Sequence, residues 1–193
     1  MKRKGFGKMQ CPIARSLEHV GEWWSILLLR DAFYGLRRFD QFQQGLGIAP
    51  NILARRLNSL VGSGLLERHR YSEHPPRYEY RPTAKAKELQ PVLWLLLAWG
   101  NNHFAPEGPS VLMVDRRTGK PVDPIVVDRS TGLPLDVGDF RWIAGPAANE
   151  RTRRRYAAAS TADSVGRDRA GAVSADAASR SDRRASRCGH ACA

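Results

Sequence analysis

Asn51, Arg55 and Asn58 fall on one side of a helical wheel turned about 100° per residue, with Leu53, Leu57, Leu60 and Val61 grouped on the other. The polar set suits the edges of base pairs, because arginine can bridge O6 and N7 of guanine and asparagine N6 and N7 of adenine. Arg56 lies between the two faces, within reach of a phosphate. Arg37 and Arg38 precede this helix and Arg68, Arg70 and Arg77 follow it, each able to neutralise backbone phosphate. His74, between Glu73 and Pro75-Pro76, is placed to approach a minor groove from a loop tip. Taken singly, such residues are ordinary: amphipathic helices carry solvated faces, surface arginines keep chains soluble, and loop histidines face water. Their meaning depends on the elements that hold them.

Ile13, Leu17 and Val20 are spaced i, i+4, i+7, and Trp23, Trp24 and the run Ile26 to Leu29 follow. This predicts two helices separated by Gly21, the second ending near Gly35. Phe39, Phe42 and Leu46 predict a short third helix. Gly47-Ile48-Ala49-Pro50 reads as a turn with proline at the start of a fourth helix running to about Ser63-Gly64. Residues 65–71 and 77–81 read as strands around Ser72-Glu73-His74-Pro75-Pro76. Thr83 is expected to cap a last long helix through Leu89, Val92, Leu93, Leu96, Leu97 and His103. Trp94, Leu95 and Trp99 make that helix apolar around most of its circumference, so it needs burial on more than one side. A short helix, a tight turn, a helix with a basic outer face and an Arg/Tyr hairpin form, in order, a winged helix-turn-helix.

After residue 105 the character changes. Val114-Asp115-Arg116-Arg117-Thr118-Gly119-Lys120-Pro121-Val122-Asp123 is repeated 13 residues later as Val127-Asp128-Arg129-Ser130-Thr131-Gly132-Leu133-Pro134-Leu135-Asp136. The spacing is that of zinc-ribbon knuckles, but Asp and Thr stand where cysteines would bind, so a metal-free, degenerate ribbon or simple repeated β-turns are expected. Cys188-Gly189-His190-Ala191-Cys192 offers soft ligands without a closed four-ligand set. From about Pro146 the chain is mostly Ala, Ser, Arg and Asp, too poor in large apolar side chains to offset its ordering entropy.

The formal net charge is +12, distributed as +8 over residues 1–105, −1 over 106–146 and +5 over 147–193. Such a balance favours polyanionic partners. Three cysteines are too few for a secreted disulfide framework, and a reducing cytoplasm is the expected setting. Met1-Lys2-Arg3-Lys4 is basic, yet no apolar stretch follows before Cys11, and the apolar run Val92 to Trp99 is far too short to span a bilayer. Neither a signal peptide nor a membrane partner is expected. No Ser/His/Asp constellation, phosphate-cradling glycine loop or paired acids stands out, so catalytic residues and cofactors are not expected.

Cys11-Pro12, Leu17, Gly21, Trp23-Trp24, Leu27 to Arg30, Arg38-Phe39, Leu53, Arg56-Leu57, Gly64-Leu65, Arg77-Tyr78-Glu79-Tyr80 and Thr83 together resemble the HxlR family of winged-helix regulators over about residues 9–104. The resemblance implies a homodimer whose first and last helices pair across a two-fold axis, a recognition helix at 49–63 and a wing at 66–81. It therefore places Ile13, Leu17, Leu93, Leu96, Leu97 and Trp99 at the dimer interface. The same conclusion follows for the last helix from its surplus of apolar residues, unless it packs within its own chain, under residues 106–146. Cys11 matches the cysteine that redox- and electrophile-sensing members use, which implies a possible redox sensor near Lys8 and Arg15; simple packing of a small apolar residue is the alternative. The chain departs from the family pattern at Glu22-Trp23-Trp24, at Ala49 in place of a capping serine, and at Pro82 and Ala86.

The expected architecture is mainly α with a small β-hairpin wing (α+β). A winged helix-turn-helix over 9–104 is followed by a small β-rich extension over 105–146 and a disordered basic tail over 147–193. The expected function is sequence-specific regulation of transcription by a cytoplasmic, nucleoid-associated homodimeric repressor on palindromic operators in double-stranded DNA, with any small-molecule or electrophile effector unidentified. The alternatives are a winged-helix module for protein interaction or RNA binding, and a small enzyme built on residues 106–146.

Overall fold

A computed structural model describes residues 5–136 and 138–158. Its elements follow the order α1 (Pro12–Val20), α2 (Trp23–Phe33), α3 (Phe39–Leu46), α4 (Pro50–Gly62), β1 (Leu66–Ser72), β2 (Arg77–Pro82) and α5 (Ala84–Phe104). This is the mainly helical fold with a hairpin wing that the periodicity predicts.

Local chemistry sets the boundaries. The N–H of Gly21 donates to the Leu17 carbonyl at 2.8 Å, closing α1. Gln41 opens α3, its Oε1 accepting from the N–H groups of Arg37 and Arg38 at 2.9 Å each. Gly47 ends α3 in the left-handed region, at φ 60°, where a side chain would strain the backbone. That residue makes the tight turn into α4. Ala49 offers α4 no side-chain cap, and Pro50 takes the first helical position, where a missing N–H costs no hydrogen bond. Thr83 Oγ1 accepts from the Ala86 N–H at 3.3 Å and donates to the Gly64 carbonyl at 2.8 Å, so one hydroxyl caps α5 and ties it to the turn after α4.

One core joins these elements. Leu28, Leu29 and Ala32 of α2 meet Phe42 of α3, Leu53, Leu57 and Leu60 of α4, and Leu66 and Tyr80 of the hairpin. Each buried leucine contributes roughly 1.5–3 kcal/mol by leaving water, so the three α4 leucines fix that helix against the rest of the domain. The strands pair antiparallel from Leu66 with Pro82 to Arg70 with Tyr78, then slip by one residue at Tyr71 so that Ser72 faces Arg77. Arg38 bridges Glu79, and the Tyr80 N–H donates to the Arg37 carbonyl at 2.8 Å, which pins the link between α2 and α3 onto the wing.

The repeat in sequence is a repeat in structure. Asp115 Oδ1 accepts from the N–H groups of Arg117 (2.7 Å) and Thr118 (2.8 Å), and the Gly119 N–H returns to the Asp115 carbonyl at 2.8 Å. Asp128 repeats the frame with Ser130 (2.9 Å) and Gly132 (2.7 Å). Bridges between Val114 and Pro121 and between Val127 and Pro134 close the two turns. Among the described residues no cluster of His, Cys, Asp and Glu is fit to hold a metal ion. The chain divides into two compact units between Leu135 and Asp136.

The tail expected to be disordered from residue 147 begins instead with a helix over 150–158. Asn149 Oδ1 accepts from the Thr152 N–H at 2.9 Å, and Arg154 pairs with Glu150 at 2.9 Å, i to i+4. The low apolar content that argued for disorder says nothing against a single capped, ion-paired turn or two of helix. The rest of that expectation, with Cys188, His190 and Cys192, lies outside the described residues.

Candidate nucleic-acid interface

On α4 the periodicity decides which side faces out. Leu53, Leu57 and Leu60 are fully buried, and Asn51, Arg55 and Asn58 are exposed. The Arg55 and Asn58 side chains make no hydrogen bond or ion pair with the described residues, whereas Asn51 Oδ1 accepts from the Ile52 N–H at 2.8 Å. Free donors and acceptors on a helix preceded by a tight glycine turn can meet base edges without first breaking internal bonds.

Two arginines placed with the phosphate-contacting set are turned inward. Arg56 Nη2 meets Glu22 Oε2 at 2.7 Å, and the arginine side chain is only 17% exposed. It ties α4 to the residue that opens α2, 34 positions earlier. Arg37 Nη1 donates to the Leu36 carbonyl at 2.9 Å, just past α2, and to the Ala32 carbonyl in the last turn of that helix. Both guanidinium groups are engaged within the chain, Arg56 on a carboxylate and Arg37 on backbone carbonyls.

Two of the remaining cations border one cleft. Arg38 and Arg77 line a cavity of about 480 Å³ between the start of α3 and the wing, together with Asp40, Tyr71 and Tyr78. The Arg38 guanidinium lies 4.7 Å from the Tyr71 ring centre and 3.6 Å from Glu79. Arg68 lies over Tyr78 at 4.4 Å. Stacking on tyrosine orients a guanidinium while leaving its edge free for an anion. Burial pushes the Tyr80 hydroxyl above the usual phenol value, and the neighbouring Arg68 charge acts in the opposite direction. Arg70 is held at the wing tip by Glu73, at 2.9 Å, and by the Ser72 and Glu73 carbonyls. Beside it, His74 is exposed and without a polar partner among the described residues.

Glu22, Gln41, Glu79 and Tyr71 have no site role in the sequence reading, yet Glu22 holds the Arg56 side chain, Glu79 and Tyr71 that of Arg38, and Gln41 the backbone of Arg37 and Arg38. Only Glu79 carried a local signal, standing two residues from Arg81 on the same strand face, where the pair meets at 3.1 Å.

The residues placed at a dimer interface are mostly uncovered. Ile13, Leu17, Leu96 and Trp99 are exposed, while Leu93 and Leu97 line a groove of about 350 Å³ between α2 and α5. Of the residues in α5 only Ala86 is buried. Trp23, opening α2, is 86% exposed. Cys11 is half-buried at the start of α1, a free thiol, and the Arg15 Nε donates to the Met9 carbonyl at 2.8 Å.

Residues 19–108 match the model of the HxlR-like helix-turn-helix family. The chain is 42% identical over 113 residues, 58% of its own length and 72% of the other's, to the uncharacterised HTH-type transcriptional regulator Rv3095 of Mycobacterium tuberculosis. It is 39% identical over 98 residues, 50% of its length and 73% of the other's, to a second such regulator in Synechocystis. Among solved structures, the candidate transcription factor PA1374 from Pseudomonas aeruginosa is 54% identical, with a TM-score of 0.56, covering 75% of this chain and 99% of its own. The candidate transcription factor PA1607 is 40% identical, with a TM-score of 0.67, covering 74% and 100%. Both structures match more of this chain than the family model does.

Proposed function

The chain belongs to the HxlR-like helix-turn-helix family of transcriptional regulators, and from that premise we propose a homodimeric repressor that binds a palindromic operator and occludes a promoter. One observation carries the reading. α4 seals its leucines in the core and leaves Arg55 and Asn58 exposed and uncommitted, in a domain whose wing also carries an open cleft lined by Arg38 and Arg77. In this reading α4 enters the major groove, with Arg55 and the two asparagines on base edges. Arg38, Arg68 and Arg77 hold the flanking phosphates, with His74 at the wing tip toward the minor groove. Two copies joined through α1 and α5 present two such helices, and the symmetry of the operator follows from the symmetry of the protein.

The family and its relatives point to regulation and not to catalysis. No helix of the described residues is long and apolar enough to cross a membrane.

The test is a titration of the full chain against its own genomic fragments and against scrambled duplexes at several salt concentrations. A preferred duplex is expected to carry two half-sites centred about one helical turn apart, roughly 34–36 Å, with the logarithm of affinity falling linearly with that of salt. Equal affinity for every duplex at moderate salt overturns the reading.

A further inference from the structure

Residues 111–135 combine an ordered backbone with an uncovered surface. Each half of the repeat is closed on its own aspartate, yet no residue from 111 to 135 is buried. Leu112, Val127, Ile125 and Leu133 all stand open, the last two at 64% exposure. Open apolar side chains carried on a hydrogen-bonded frame are the kind of surface that a partner covers, since a chain free of partners gains nothing by ordering them in water.

That surface continues another. Asn101 Nδ2 donates to the Val111 carbonyl at 3.0 Å, which fixes the start of the segment to the last turns of α5. Both lie in the same compact unit. Along α5, Val92, Leu96 and Trp99 form an open stripe at i, i+4 and i+7.

We propose that residues 111–135 are a dimerisation arm whose apolar side chains pack on α5 and α1 of a second copy of this chain. The proposal rests on the homodimer reading and extends it to a segment beyond the helix-turn-helix. Continuity selects the occupant: in a two-fold contact, whatever adjoins the shared patch on one copy adjoins it on the other. Size agrees. α1 and α5 together offer seven open large apolar side chains, whereas a stable interface engages roughly 20–30 residues a side and about 800 Å² per partner. The arm supplies apolar surface of the kind that is missing.

The experiment compares dimer dissociation of the full chain with Ile125→Asp, Leu133→Asp and Leu96→Asp by sedimentation at graded concentrations. Ile125 and Leu133 are open in the single chain, so their variants are expected to keep the wild-type circular dichroism and to raise the dimer dissociation constant at least tenfold. A photo-crosslinking residue at position 125, in a mixture of isotope-labelled and unlabelled chains, is expected to join labelled to unlabelled peptides from α5 or α1. A wild-type dimer that both arm variants leave unchanged, or crosslinks confined within one chain, overturns the arm while the homodimer stands. A monomeric wild type removes the homodimer reading itself, and the arm with it.

Discussion

α4 and α5 are both rich in leucine, and they satisfy their leucines in opposite ways. α4 buries Leu53, Leu57 and Leu60 within its own chain and leaves a polar face outward. α5 is longer and more apolar, yet of its residues only Ala86 is buried. A helix whose apolar side is complete can spend its other side on recognition of a polar ligand. One whose apolar sides remain open has a hydrophobic debt in water, at about 25 cal/mol for each Å² left uncovered, and a partner is the usual way to remove it.

The contrast breaks most visibly if α5 is not an interface. Leu96→Asp is expected to place an unpaired carboxylate in the dimer contact at a cost of several kcal/mol, giving monomers with near-native circular dichroism and lost operator binding. A dimer of unchanged stability, measured by sedimentation, would move the interface off α5. The opposite response is expected on α4, where Leu57→Ala removes a fully buried side chain and should cost about 2–5 kcal/mol of folding stability in denaturant titration, at any protein concentration. Concentration dependence therefore separates the two helices.

The outer face of α4 gives the next effect. Arg55→Ala is expected to lose about 1–3 kcal/mol of discrimination at one base position, whereas Arg38→Ala should weaken binding to all duplexes and make the salt slope shallower by about one. Binding isotherms on a panel of single-base operator variants check both, and indistinguishable variants would remove the distinction between reading and holding.

The smallest effect is expected in the repeated turns. The N–H groups of Thr118 and then Arg117 hold the Asp115 carboxyl below the ordinary aspartate range, and the Ser130 N–H and hydroxyl do the same for Asp128. A carboxyl depressed in the folded state supports its turn at pH above its unfolded value, and that support is lost as pH falls through the lowered one. The amide resonances of Thr118 and Ser130 should accordingly shift in acid, below the ordinary aspartate titration, while those of the α4 core stay in place.

Much of the site was legible in the sequence because helical periodicity and turn residues act locally. The spacing of Leu53, Leu57 and Leu60 fixes which side of α4 faces inward, and with it the outward position of Asn51, Arg55 and Asn58. Gly47 and Pro50 mark the turn, and Thr83 marks the last helix, through backbone preferences that need no distant partner. The aspartate turns are local in the same sense, each complete within a few residues, so their repeat in sequence became a repeat in space.

Arg37 and Arg56 show what periodicity leaves open. A helical wheel gives the angle at which a side chain leaves its helix, but a guanidinium on a long flexible stem goes where a partner waits. For Arg56 that partner is Glu22, 34 residues away, brought close only when α2 and α4 pack around Leu28 and Leu57. For Arg37 the partners are the carbonyls of Leu36 and of Ala32, five residues back, which come within reach of one nitrogen only once α2 has ended and the chain has turned. The sequence determined the elements and their faces, which depend on neighbours within a few residues. The tertiary structure decided which cations stay free, because a charge is committed by whatever the packed core places beside it.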